Sequence, residues 1–164
     1  MLPPHIFGLD YPAMAIALLF HILAAVVWVG GMFFAHVILR PAAGALDPPV
    51  RLPLFRRVLG NFFPWVWAAI IALLASGYGV LLPGLGGFAH APAYVQIMQG
   101  LGIIMMLAFF HLFFAPWRRF QAALDRGELP VAAAQLGQIR HIVLFNLVLG
   151  LIVVVVGATG RYWG

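Results

Sequence analysis

The sequence predicts an all-α integral membrane protein, folded as one antiparallel four-helix bundle with both termini on the non-cytoplasmic side. Three observations predict this fold. Of the 164 residues, 65% are hydrophobic and 8% are charged, and the mean hydropathy of +1.06 is far above that of soluble domains. The apolar residues form four long runs, and the arginines cluster in two of the connections between those runs. We therefore predict a single four-span domain over residues 1–164.

Each predicted span is an apolar run long enough to cross a hydrocarbon core of about 30 Å. The four runs cover about residues 12–39, 61–82, 93–115 and 139–160. Prolines stand in the connections after the first three spans, at Pro41, Pro48, Pro49, Pro83 and Pro116, where they interrupt helices. The opening MLPPHIFGLD has no basic region and no small-residue cleavage site, so we do not expect a signal peptide.

The arginines predict the orientation. Eight of the nine lie in or beside the first and third connections: Arg40, Arg51, Arg56, Arg57, Arg118, Arg119, Arg126 and Arg140. Only Arg161 lies on the other side. Because arginine-rich loops stay in the cytoplasm, both termini are expected to face away from it, in a multi-pass protein of the cell inner membrane. The net charge of +5 is then explained by topology and lipid phosphate, and we expect no nucleic-acid partner.

The stretch FHILAAVVWVGGMFFAHVILRP places two histidines, His21 and His36, inside the first predicted span. They are about 22 Å apart along a helix, so one metal ion cannot bind both. Their spacing also advances an α-helix by about 60° beyond four turns, so both rings are expected to point to broadly the same side. An ionisable side chain inside a membrane is costly, which makes each of these histidines a candidate for function.

The other candidate ligands are grouped by depth. When each span's midpoint is taken as the membrane centre, His36, His111 and His141 fall in the inner half and His21 falls in the outer half. His5 and His90 lie in outer loops. The chain has no cysteine, so thiolate sites are excluded and histidine, methionine and carboxylate remain as metal ligands.

Inward-facing histidines on different helices of a membrane bundle are typical of haem proteins, since neutral imidazoles bind the iron from opposite sides. Two of the three inner histidines are predicted to bind one haem b. Arginines at the cytoplasmic rim would pair with its propionates: Arg56, Arg57, Arg118, Arg119 and Arg140. In the outer half, Met98 is a second ligand candidate beside His21, although simple packing is the commoner role of such a methionine.

From these residues we predict a b-type haem-binding protein that passes electrons within the bilayer, to a quinone pool or a membrane oxidoreductase. A redox carrier is favoured over a catalyst, because no Asp or Glu lies inside a predicted span to handle protons. The number of haems, the axial pairing and a homodimeric state are left open.

Copper transport or copper homeostasis is the first alternative function. Histidine and methionine also suit copper, and His5 and His90 at the outer mouth could feed an ion to His21. The sequence has no MxxM, MxxxM or HxH cluster, so a copper path would consist of isolated residues.

The segment HILAAVVWVGGMFF from His21 resembles the first helix of the CopD-like membrane proteins, a family named for copper resistance. The similarity extends through RLPLFRRVLGNFFPWVWAAI, YVQIMQGLGIIMMLAFFHLFFAPWRRF and RHIVLFNLVLGLIVVVVGATGRY, and so covers nearly the whole chain. This resemblance implies a four-helix membrane protein and a link to copper. The small four-helix members of this family mostly lack an assigned activity.

The layout is also similar to that of the HemJ group, four-helix haem proteins implicated in oxidising protoporphyrinogen. In that group a first-helix histidine precedes a W-x-G motif, as His21 precedes Trp28, and a third-helix histidine precedes a basic run, as His111 precedes Arg118. The HemJ pattern also has a lysine in the third helix and an Asn-Glu pair in the fourth. This chain has Gln99 instead of the lysine, and Asn146 is followed by leucine. Protoporphyrinogen oxidation is therefore the second alternative.

Overall fold

The computed structural model describes residues 5–6, 9–84 and 87–163 of the chain. A two-residue antiparallel ladder between β1 (His5–Ile6) and β2 (Leu9–Asp10) precedes the first helix. The α-helices are α1 (Tyr11–Phe33), α2 (Arg40–Ala42), α3 (Pro48–Gly84), α4 (Ala93–Phe114), α5 (Pro116–Asp125) and α6 (Leu129–Thr159). A π-helix, Phe34–Leu39, joins α1 to α2, and short 3₁₀ turns cover Ala43–Ala45, Phe88–His90 and Gly160–Tyr162.

Four helical segments in the described part are long and apolar enough to cross a membrane: Pro12–Ala45, Pro48–Leu82, Ala93–Asp125 and Leu129–Tyr162. They contain 34, 35, 33 and 34 residues, which corresponds to about 50 Å of helix each. The prediction of an all-α, multi-pass membrane protein with four spans is confirmed. The membrane side of the termini and the extent of the domain stay predictions.

The helices are longer than the predicted spans, and the extra length lies at the arginine-rich end. Helix α3 begins at Pro48, because a proline in the first turn loses only an N–H that has no helical partner there. Helix α6 begins at Leu129 with Pro130 in its first turn for the same reason. Pro116 does interrupt the third segment, since Ala115 has non-helical angles (φ −114°, ψ −84°) between α4 and α5. The predicted spans therefore describe the apolar middle of each helix.

The turn between α5 and α6 consists of Arg126, Gly127 and Glu128. Gly127 has φ +71°, a left-handed conformation that glycine adopts without a steric penalty. The Arg126 guanidinium donates two hydrogen bonds of 2.9 Å to the Glu128 carboxylate. These bonds lower the pKa of that carboxyl, so it stays ionised and the turn keeps its ion pair at neutral pH.

Small residues bring the helices close together. Gly31 of α1 lies against Phe62 of α3, and Gly150 of α6 lies against both Val29 and Met105. A Cβ added at Gly150 would be 2.8 Å from Val29 Cγ2 and 3.2 Å from Met105 Cε, closer than packed atoms approach. Because lipid gives apolar helices little reason to associate, such close van der Waals packing is a main source of bundle stability.

Aromatic rings fill the interface of α3 with α4 and α5. Phe63 lies at its centre, with its ring centroid 5.0 Å from that of Trp117 and 5.6 Å from that of Phe109. Trp67 stacks on Phe110 at 5.1 Å. Phe63, Phe109 and Trp117 are buried, whereas other large apolar side chains, such as Trp65 at 64% exposure, face outward as expected in lipid.

Candidate functional site

His21 of α1 is held by a hydroxyl of α3. Its Nδ1 lies 2.9 Å from Ser76 Oγ. The Ser76 hydroxyl donates a hydrogen bond of 2.5 Å to the Ala72 carbonyl oxygen. A serine hydroxyl has one proton, so its oxygen must accept the hydrogen bond from His21. Nδ1 therefore carries the ring proton, and Nε2 has a free lone pair that can bind a metal ion.

Gly77 makes room for the His21 ring. A Cβ at Gly77 would lie 3.4 Å from His21 Cε1 and 3.7 Å from Nδ1, so the imidazole packs directly on the backbone of α3. His21 is half-buried and Ser76 is 8% exposed. The imidazole is thus oriented by hydrogen bonds to Ser76 and to the Leu73 backbone, and by its packing on the backbone of α3 at Gly77.

Met98 stays a predicted partner of His21, and residue counts along the helices give the two side chains similar depths. Val29, Met105 and Gly150 meet in one layer of the bundle, and the contact between Met98 and Gly157 lies one heptad farther along α4 and α6. Met98 is about 10 Å and His21 about 12 Å from this layer, toward the same end. Next to Met98, Gln99 donates a hydrogen bond of 3.1 Å to the Tyr78 hydroxyl of α3.

His111 lies on the other side of the same layer. It follows Met105 by six residues, which places it about 9 Å from the layer and about 21 Å in depth from His21. The two histidines that the HemJ resemblance singles out are therefore too far apart to bind one iron or copper ion.

The three inner histidines differ in exposure. His36 is half-buried, while the side chains of His111 and His141 are exposed on the surface of the helices. His141 lies near enough to His36 to interact electrostatically, but no group of three or more His, Asp or Glu side chains in the described ranges could hold a metal ion. Haem ligation by these residues stays a prediction that the geometry does not support.

The common direction expected for His21 and His36 stays a prediction. His21 contacts α3, and His36 lines a crevice formed by Phe55 and Leu59 of α3 and by Arg140 of α6. His36 lies within the π-helix Phe34–Leu39, whose wider turns make the rotation between the two rings differ from that of a regular α-helix. A π-helix in a transmembrane segment often marks a functional position.

The five arginines predicted to hold propionates do not converge in the described structure. Arg56 pairs with Asp125 at 2.5 Å, and the Arg118 guanidinium lies over the Phe114 ring. Arg57 and Arg119 are exposed. Arg140, the fifth, lies over the Phe55 ring and lines the cavity next to His36.

Two further arginines line this cavity and were missed as site residues: Arg40 and Arg51. Arg40 could have been found from its position four residues after His36 on one helix, where the two side chains are neighbours. Arg51 and the Ser76 hydroxyl have no such signal, because their contacts depend on the packing of separate helices. The side chain of His5 lies outside the described residues, and His90 lies in a 3₁₀ turn with an exposed side chain.

Comparison with known proteins gives one family and one distant relative. A family model described as Copper resistance protein D matches residues 56–159, more than half of the chain. The probable lipid II flippase MurJ of Buchnera aphidicola subsp. Acyrthosiphon pisum (strain APS) is 31% identical over 87 residues, which make up 53% of this chain and 16% of that protein. The chain thus spans less than a fifth of the length of that relative. No solved structure matches.

Proposed function

The chain belongs to the copper resistance protein D family, and on this basis we propose that it handles copper ions in the membrane, as a transport or homeostasis protein. Copper is then a cargo that binds and leaves. The first alternative from the sequence thereby takes precedence over haem-based electron transfer. The arginine distribution adds the proposal that the membrane is the cell inner membrane.

The hydrogen-bond chain from His21 through Ser76 to the Ala72 carbonyl carries this proposal. It fixes the tautomer in which Nε2 is the ligand atom, and a neutral imidazole is a good ligand for copper. Histidines that bind metals usually donate their other ring N–H in this way, which orients the ring and strengthens the bond to the metal.

Met98 is the proposed second ligand of the ion, or the next binding site along its path. Residue counts along the helices give Met98 a depth similar to that of His21, and thioether sulfur favours the cuprous ion. Isolated soft ligands suit a moving ion, because an ion that is conducted must bind weakly enough to leave each site.

Haem binding has less support from the geometry. Bis-imidazole ligation needs two rings that face each other across one pocket, but His111 and His141 are exposed and His36 lines a cavity with three arginines. No contact in the described part specifically favours protoporphyrinogen oxidation.

Copper binding to the purified protein tests the proposal. Cuprous ion is titrated into detergent-purified protein against a colorimetric chelator, and His21→Ala is compared with the matched variant His111→Ala. We expect His21→Ala to weaken copper binding at least about tenfold, as expected when a ligand or its orienting partner is lost. His111→Ala should change it less than about twofold, because His111 lies about 21 Å away in depth.

Two results would contradict the proposal. One is wild-type protein that binds no copper, and the other is an equal loss of copper in both variants. A red preparation with a Soret band that shifts on dithionite reduction would instead establish the haem reading, and His111→Ala would then show whether that histidine is an axial ligand.

A further inference from the structure

A basic cavity opens at the arginine-rich end of the bundle. It has a volume of about 430 Å³ and is lined by His36, Arg40, Pro41, Gly44, Arg51 and Arg140. Three parts of the chain enclose it: the end of the first transmembrane segment, the start of α3, and the N-terminal half of α6 at Arg140. It shares His36, Arg40 and Arg140 with a narrow apolar crevice of about 20 Å³ that lies against Phe55 and Leu136.

The lining of this basic cavity has positive charge without a matching carboxylate. Arg40 and Arg51 both lie near enough to Arg140 to repel it electrostatically. The ion pairs in the described ranges use other arginines, since Asp125 binds Arg56 and Glu128 binds Arg126. No acidic residue lines the basic cavity in the part of the chain that the structure describes. Three like charges around one space are unfavourable unless an anion occupies it.

Hydrogen-bond donors in the basic cavity also lack partners. The Nε atoms of Arg51 and Arg140 are buried, and neither has a hydrogen-bond partner among the described residues. A buried donor without a partner loses its hydration and gains nothing in return. The acceptor role at His36 is already taken, because Arg40 donates to its Nε2 at 3.4 Å. The groups left without a partner are therefore guanidinium donors, and the two arginines that carry them line the basic cavity.

We propose that the basic cavity binds a phosphate-bearing anion. Guanidinium groups form paired, charge-assisted hydrogen bonds to phosphate oxygens, and a tetrahedral phosphate can accept from several arginines at once. The volume is sufficient for a headgroup larger than phosphate itself. The same positive charge disfavours a copper ion, so this anion site is separate from the proposed copper site at His21.

The phosphate has two sources, a lipid headgroup or a soluble anion. Position favours the lipid, because the cavity lies at the end of a transmembrane segment, at the level where lipid phosphates meet arginines. Exposed apolar side chains within about one helical turn of lining residues offer a surface for acyl chains, with Ile38, 50% exposed, near Arg40 and Leu144, 40% exposed, four residues after Arg140.

Lipid binding to delipidated protein in a neutral detergent tests this proposal. Phosphatidylglycerol, phosphatidylcholine and inorganic phosphate are added in separate arms, and complexes are measured by native mass spectrometry. We expect phosphatidylglycerol to bind at least about tenfold more tightly than phosphatidylcholine. The choline group of phosphatidylcholine is positively charged, so the arginines repel it, whereas the glycerol group of phosphatidylglycerol carries no charge. If millimolar inorganic phosphate displaces phosphatidylglycerol, the natural source is a soluble anion; if it does not, the source is the lipid.

Matched arginine variants locate the site. Arg140→Gln and Arg51→Gln should weaken phosphatidylglycerol binding about tenfold each, since each removes a charge-assisted donor. Arg57→Gln removes the same charge from an exposed position of α3 outside the cavity, and we expect less than a twofold change. If Arg140→Gln does not fold, Arg40→Gln replaces it, because the Arg40 side chain is exposed.

Equal binding of the two lipids by the wild-type protein would overturn the proposal. So would a loss of phosphatidylglycerol binding in Arg57→Gln as large as that in the cavity variants, because binding would then follow net charge alone. The copper assay does not depend on these outcomes.

Discussion

The hydroxyl of Ser76 lies 2.9 Å from Nδ1 of His21 and joins α1 to α3 at a polar contact inside the membrane. Because the Ser76 hydroxyl donates its hydrogen bond to the Ala72 carbonyl of α3, its oxygen accepts from His21, and the contact selects the imidazole tautomer with the proton on Nδ1. Removal of the Ser76 hydroxyl should therefore change the orientation and tautomer of the His21 ring, while the imidazole itself remains available as a ligand.

Ser76→Ala should weaken copper binding about tenfold, because the ring of His21 loses the partner that orients it. Ser76→Thr keeps the hydroxyl and should retain most of the affinity. Chelator competition on the purified variants measures both. Unchanged binding in Ser76→Ala would show that the hydrogen bond does not position a ligand.

Gly150→Ala should destabilise the bundle by about 1–3 kcal/mol, since its new methyl group would overlap Val29 and force the helices apart. Gly137→Ala is the matched control in α6. A Cβ there meets nothing within 4 Å, so this variant should be neutral or more stable by up to about 1 kcal/mol. Unfolding in dodecyl sulfate, followed by circular dichroism, compares the two, and equal effects would mean that the α1–α6 contact is not tight.

Asn146 is 2% exposed, donates to the Met105 carbonyl at 3.0 Å, and has no partner for its Oδ1 among the described residues. Asn146→Leu should therefore change the free energy of unfolding by less than about 1 kcal/mol, because the lost hydrogen bond and the removed orphan oxygen offset each other. Asn146→Asp should destabilise by at least about 2 kcal/mol, since it places a carboxylate in an apolar interior. The same unfolding assay applies. A large loss in Asn146→Leu would indicate that Oδ1 binds water or an ion.

The predicted orientation can be tested with single cysteines, because the chain has none of its own. Ala45→Cys lies in the first connection and Ala89→Cys in the second, and both positions are exposed. In intact cells a membrane-impermeant maleimide should label Ala89→Cys and leave Ala45→Cys unlabelled until the cells are lysed. The reverse pattern would invert the topology.

The sequence was sufficient to identify the four spans. Four apolar runs identify four helices because the bilayer tolerates few other structures. The separation in depth of His21 and His111 follows from counting residues along straight helices. Pro116 was correctly identified as an interruption. Pro48 was not identified as a helix start, because proline interrupts a helix in its interior but fits its first turn.

The contacts between side chains of different helices could not be predicted from the sequence. The π-helix that contains His36 has no compositional signal, and the partnership of Ser76 with His21 depends on the register between α1 and α3. Five arginines had been assigned to a propionate-binding rim by position alone, although Asp125 holds Arg56 and the Phe114 ring holds Arg118 away from the cavity. Arg140 is held over Phe55 and still reaches the cavity.

The extension of the helices at the arginine-rich end affects how a protease would cut this protein. Trypsin needs a locally extended backbone, yet at this end Arg126 is the one arginine in the described chain that lies outside a helix. Limited digestion in detergent should therefore cut first after Arg126 and split the molecule into a fragment with the first three membrane segments and a fragment with the fourth. Because α6 packs against α1, α3, α4 and α5, the two fragments should stay together after the cut.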